Sequence, residues 1–68
     1  NTLALKNIEI AIQNDPKSGM GYAQLYAFYM DVTKEREKAI AVLRRAIAAG
    51  TDDAEQFQQE LNRVTAGN

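Results

Sequence analysis

Residues 11–22 read AIQNDPKSGMGY. A helix-periodic apolar segment runs into Asn14-Asp15-Pro16, stops, and restarts within a few residues on a tyrosine-rich stretch. The stop has a steric cause: the residue before a proline is pushed out of the α region, and proline has no N–H to donate to the turn. Ser18 then offers a side-chain oxygen to cap a new helix, while Gly19 and Gly21 supply the loop. Two helices joined by so short a link form an antiparallel pair, and the remaining sequence decides what they belong to.

Upstream, over residues 2–14, Ala4, Leu5, Ile8, Ala11 and Ile12 form one apolar stripe at i, i+3, i+4, i+7 spacing. Leu3 and Ile10 fall on nearly the opposite face at about 100° per residue. A helix apolar on two sides wants two neighbours, and only one follows it in the chain. Downstream, the spacing predicts a second helix over 20–32, with Tyr22, Leu25, Tyr26 and Tyr29 as its main stripe. Ala23, Ala27 and Met30 make an adjacent stripe of mostly small residues, suited to close approach of another helix. Gly21, Gln24, Phe28 and Asp31 occupy what remains.

A third helix is expected over 34–49, with Thr33 as N-cap, Glu35 and Glu37 near its positive end, and Gly50 as its C′ residue. Ala39, Ile40, Val42, Leu43, Ala46 and Ile47 are its buried stripe. The fourth, over 52–65, starts on Asp52 with Glu55 three residues on, in the manner of a capping box. Its narrow seam of Ala54, Phe57, Leu61 and Val64 beside a Gln/Glu/Asn/Arg surface predicts a helix that caps a core. The chain therefore reads as a single all-α domain over residues 1–68.

Composition narrows function by what is missing. The 68 residues hold no Cys and no His, which removes disulfides, thiolate nucleophiles, imidazole bases and the usual zinc ligands. An apolar fraction of 46% suits a globular chain, and no apolar run reaches the about 18 residues of a membrane span. With a net charge of −1, no overall field recruits nucleic acid or an anionic membrane. Asn1 is not an initiator methionine, which fits a processed chain or an excised fragment.

The spacing Ala4, Ile8, Ala11, Pro16 returns 35 residues later as Ala39, Leu43, Ala46, Thr51. This resembles the second half of a tetratricopeptide repeat, whose helix B ends in A-x₃-F-x₂-A-x₄-P and whose period is about 34 residues. QNDP at 13–16 matches the usual repeat ending, and EKAIAVLRRAI at 37–47 is close to helix B. TKERE stands where the family has Gly-Asp after helix A. The resemblance implies an α-solenoid segment: residues 2–14 as helix B of a truncated repeat, 20–49 as a full repeat, and 52–65 as a terminal capping helix. The middle repeat carries one residue more than the family's period. Counting back from Ala39 puts Ala27 at the small packed position of helix A, with Ala23, Tyr26 and Met30 at the others; the extra residue then falls in the loop after Pro16. Counting forward from Pro16 would put bulky Tyr26 at the small position.

In the first of these registers, the family's groove-lining positions fall on Gly21, Gln24, Phe28 and Asp31. The resemblance thus implies a non-catalytic interaction or scaffold module binding a peptide or helix of a partner protein, with Phe28 as apolar anchor and Gln24 and Asp31 as polar contacts. The competing reading packs Phe28 under the loops or against the terminal helix. The rival function is self-association, with Leu3 and Ile10 burying against a second copy. Tyr22, Tyr26 and Tyr29 have core spacing, and their helix carries no Lys or Arg, so a base-stacking platform is not expected. Lys34, Arg36, Lys38, Arg44 and Arg45 exceed Glu35 and Glu37 by three charges, opposite an acidic fourth helix. That pattern reads as a solvated, mutually attracting surface. No catalytic pair, metal site or cofactor motif emerges: the carboxylates at Asp15, Glu35 and Asp52 sit in caps and turns.

Overall fold

The computed structural model describes residues 2–66, except the side chain of Thr2, as four helices with no strand among them. They are α1 (Thr2–Asn14), α2 (Gly19–Ala27), α3 (Arg36–Ala49) and α4 (Ala54–Ala66), with a π-helical segment, Phe28–Val32, continuing α2. Each helix packs chiefly on its neighbour in the chain, α1 on α2, α2 on α3 and α3 on α4. The core runs between them and is built from Ile12, Tyr22, Leu25, Val42, Leu43, Ala46, Phe57 and Val64. Leu25, Leu43 and Val42 are its largest fully buried side chains.

The Asp-Pro stop behaves as its chemistry dictates. α1 ends at Asn14, and Ser18 caps α2 by accepting from the Met20 N–H at 3.3 Å. Gly50 ends α3 in the left-handed region at φ 70, where a side chain would be strained. The two loops that follow α1 and α3 lie side by side. The Asp52 N–H donates to the Lys17 carbonyl (2.9 Å), and Lys17 Nζ donates to the Ala49 carbonyl (2.9 Å). Thr51 fills the place of Pro16 by a different route. Its hydroxyl and its N–H both go back to the Ala46 carbonyl, satisfying a C-terminal acceptor of α3.

Three expectations need correction. The second helix does not run as one α-helix over 20–32: the Thr33 N–H reaches back five residues to the Phe28 carbonyl (3.2 Å). A π-turn holds one residue more than an α-turn. Tyr22 and Leu25 are buried while Ala23 and Ala27 are exposed, so Ala27 does not sit at the packed position expected of it.

Thr33 does not cap the third helix. It closes the π segment, with its hydroxyl on the Tyr29 carbonyl (3.3 Å). The chain then turns through Lys34 at φ 59, and α3 starts at Arg36 with Glu35 in the N-cap position. Asp52 does not cap the fourth helix either, because α4 starts at Ala54 and Asp53, not Asp52, is the residue that precedes it. α4 begins at Ala54, with the Phe57 N–H already bonded to the Asp53 carbonyl (2.9 Å).

Candidate functional site

α1 buries Ile12 and half-buries Leu5 and Ile8 on the side that meets α2. On its other side, Leu3 is 71% exposed and Ile10 43%. They stand two helical turns apart on one face of a regular helix, flanked by exposed Lys6 and Asn7.

α3 carries the corresponding face, on which Lys38 and Arg45 stay exposed beside α2. At the 35-residue offset, Ile10 corresponds to Arg45, Leu3 to Lys38, Asn7 to Val42 and Ala11 to Ala46. On α3, Val42 and Ala46 are buried, whereas Asn7 and Ala11 on α1 are exposed. The covering element is α2. Tyr22 lies against Arg45 (5.7 Å, guanidinium to ring) and Tyr29 against Lys38 (5.9 Å, ammonium to ring). Rising residue numbers on α2 meet falling numbers on α3, so the two run antiparallel. No segment among the described residues takes α2's place on the outer face of α1.

The four groove positions on α2 and its π extension do not share one surface. Gly21 faces α1: a Cβ there would stand 2.7 Å from Ile12 Cγ1 and 3.3 Å from the Ile12 backbone N. Phe28, in the π segment, is buried and meets Tyr29 edge to face at 5.9 Å. Gln24 and Asp31 point to solvent, together with Met20, Ala23 and Ala27. Phe28 is therefore buried and is not an exposed groove anchor. The i, i+3, i+6 series Tyr22, Leu25, Phe28 is the signal that an ideal helical wheel passes over.

Three of the four basic residues of α3 are engaged within the fold. Lys38 pairs with Glu35 (2.9 Å) as well as lying over Tyr29, Arg45 approaches Glu9 (3.8 Å), and Arg36 donates to the Val64 carbonyl. An open cleft of about 460 Å³ at the start of α3 is lined by Lys34, Glu35, Arg36, Glu37 and Lys38, with both signs of charge interleaved. Among the described residues, no three acidic side chains gather as a metal site.

The most perturbed titrations belong to a tie between α2 and α4. The Tyr26 hydroxyl donates to Glu60 Oε2 (2.6 Å), and Arg63 Nε donates to Glu60 Oε1 (2.9 Å). Arg63 and Tyr26 bond the carboxylate and hold the Glu60 pKa down at about 2. Burial, then the hydrogen bond to Glu60, push Tyr26 up to about 12. Glu60 therefore stays ionised and Tyr26 neutral throughout the physiological range. They fasten α4 and do not trade protons.

Compared with protein-family models, curated proteins and solved structures, the chain matches none.

Proposed function

We propose that this chain is a non-catalytic helical-repeat interaction module, tetratricopeptide-like in its spacing, that binds a helix of a partner along the outer face of α1. The observation that carries the reading is the pair Leu3 and Ile10, large, apolar and exposed on a helix whose opposite side is already in the core. Apolar side chains scattered singly on a surface need no explanation; two on one face, two turns apart, make a helix-binding stripe.

A peptide of residues 18–33 supplied in trans is a suitable probe, because α2 covers the corresponding face of α3. Its tyrosines would meet Leu3 and Ile10 where they meet Lys38 and Arg45 in the intact chain. Fluorescence anisotropy of the labelled peptide should show binding that Leu3→Lys and Ile10→Lys each weaken about tenfold or more. Binding indifferent to both substitutions, or no binding, would sink this reading. A groove on α2 is the second reading. With Phe28 inside, it rests on Met20, which is 68% exposed, beside Gln24 and Asp31. Met20→Asp, with no effect on the α1 face, separates the two.

A further inference from the structure

The three links between helices differ in one respect. The first contains Pro16 and runs into Gly19, and the third opens on Gly50, whereas no Gly or Pro occurs from Tyr22 to Ala49. The middle link, Thr33-Lys34-Glu35, therefore holds neither of the residues that stop a helix most strongly. Lys34 turns the chain at φ 59, in the left-handed region that side chains disfavour, and α3 starts after Glu35 without a side-chain cap. From Lys34 to Lys38 every residue is a good helix former, and Glu35 already pairs with Lys38 (2.9 Å). The turn is imposed by the packed neighbours against the local preference.

We infer that this turn is a hinge through which two copies of the chain exchange their α3–α4 arms, residues 19–49 of each copy becoming one continuous α-helix. The inference does not depend on the outer face of α1.

The apolar stripe is already written for the straight helix. The steps of three and four that lead from Tyr22 and Leu25 to Tyr29 and Val32 continue without a slip through Arg36 and Ala39 into the core stripe of α3. Val32, which is 58% exposed in the monomer, takes a place in that seam. The seam is also symmetric about Lys34: Val32 and Arg36 stand two residues away, Tyr29 and Ala39 five, Leu25 and Leu43 nine. Two straight helices laid antiparallel therefore bring Leu25 of each copy to Leu43 of the other, and rebuild between copies the core that each chain makes alone. The contacts of Tyr22 with Arg45 and of Tyr29 with Lys38 have nearly the same centre, between Thr33 and Lys34.

Polar contacts follow the same symmetry. The ties that join the two arms, Tyr26 to Glu60, Glu9 to Arg45 and the Asp52 N–H to the Lys17 carbonyl, form between copies instead of within one. Lys34 falls on the side of the straight helix away from the seam. Each Arg36, the charged member of the seam, comes within one turn of Asp31 and Glu35 of the other copy, so opposite charges meet near the axis. The bonds given up are local to the turn: the Thr33 N–H on the Phe28 carbonyl and the Glu35 N–H on the Tyr29 carbonyl (2.8 Å). A straight helix bonds both groups four residues back and releases Lys34 from its left-handed conformation. Monomer and exchanged dimer thus share their core and differ at the hinge, and protein concentration during folding selects between them.

Refolding the whole chain from urea over a wide range of protein concentrations, followed by sedimentation velocity, tests this. High concentration should trap a dimer that returns to monomer slowly after dilution, because the arms must unpack to exchange. Lys34→Gly, which relaxes the turn without touching the seam, should reduce the dimer about tenfold, since two hinges are relieved at once. Val32→Lys should also reduce it while leaving the urea midpoint of the monomer unchanged, residue 32 being exposed there. The arrangement is read from Ala23→Cys/Arg44→Cys chains, labelled at both exposed positions with spin labels and refolded in excess unlabelled chain. Along a straight helix the two sites lie about 32 Å apart at 1.5 Å per residue, against the roughly 10 Å between packed helices. The long distance is expected in the dimer and the short one in the monomer. No dimer at any refolding concentration, a dimer that keeps the short distance, or a dimer indifferent to both Lys34→Gly and Val32→Lys would overturn the hinge. A dimer with the short distance that Ile10→Lys abolishes belongs to the α1 face, and leaves that reading standing while the hinge falls.

Discussion

The two ends of this small stack of helices are finished in opposite ways. α4 keeps a narrow apolar seam, Phe57 and Val64 buried and Leu61 half-buried, and gives the rest of its surface to Glu55, Gln56, Gln58, Gln59 and Asn62. It is also fastened by polar ties, Tyr26 to Glu60 and Arg36 to the Val64 carbonyl. α1 has its own core side but carries Leu3 and Ile10 outward, and its ion pair with the rest of the stack is the long contact of Glu9 with Arg45. A repeat-like helix cannot bury two apolar faces with one neighbour. The C-terminal end resolves this by removing the second apolar face, and the N-terminal end keeps it. Of the two ends, α1 is the one that leaves large apolar side chains exposed.

The contrast is tested most severely by truncating one anchor at each end. Phe57→Ala removes the ring that seats α4 and should cost about 3–5 kcal/mol of stability, enough to unfold much of so small a domain. Ile10→Lys, at the other end, should leave the urea midpoint of the monomer nearly unchanged. Equal losses at both positions would abolish the distinction.

The first turn of α2 touches both ends through glycine. At Gly21 an added methyl meets the Ile12 side chain at 2.7 Å and its backbone at 3.3 Å, so α1 must be pushed away. Gly21→Ala should destabilise by about 1–3 kcal/mol, partly offset by alanine's better helix propensity. Gly19 meets Asp53 Oδ2 at 2.5 Å, which can swing aside, and Asp53 Cβ at 3.0 Å, which yields only if the loop shifts slightly, so Gly19→Ala should cost less than Gly21→Ala in thermal unfolding. A larger loss at Gly19 than at Gly21 would reverse the ranking of the two joints.

The fastening of α4 should depend on pH at both extremes. A carboxylate whose folded pKa is depressed to about 2 contributes stability above its ordinary value, and that stability drains away as pH falls from about 4.5 towards 2. A phenol whose folded pKa is raised to about 12 favours the fold below its ordinary value of 10, and the contribution is lost between about 10 and 12. Tyr26→Phe should cost about 0.5–1.5 kcal/mol at neutral pH and remove Tyr26's share of the alkaline loss, followed by circular dichroism. An alkaline limb of undiminished size in that variant would show that the tie contributes nothing.

The smallest effect is expected where neither end is involved. Lys34 holds φ 59 between the π segment and α3, and Lys34→Gly should gain less than about 1 kcal/mol by relieving a left-handed side chain. A loss there would mean that the lysine contributes more than its backbone strain costs.

Much of the fold was legible from residues alone. Asp15-Pro16, Ser18 and Gly50 act through local sterics and single hydrogen bonds, and each does so where the sequence places it. The exposure of Leu3 and Ile10 follows from the same helical arithmetic that turns Ile8 and Ile12 towards the core. The groove on α2 was not legible. Phe28 looks outward on an ideal wheel, and the structure buries it in the π segment that continues α2.

What the sequence determined by itself is therefore the local syntax: four helices, where they stop, and the 35-residue echo that pairs α1 with α3. Propensity, capping and proline sterics operate within a few residues and need no fold to act. Tertiary structure alone decided that Phe28–Val32 turns as a π segment and which side of α2 faces the core. Packing selects Tyr22 and Leu25 for burial over Ala23 and Ala27. Burying Tyr22 and Leu25 outweighs the cost of a π-turn at Phe28–Val32, and only the assembled neighbours set that balance.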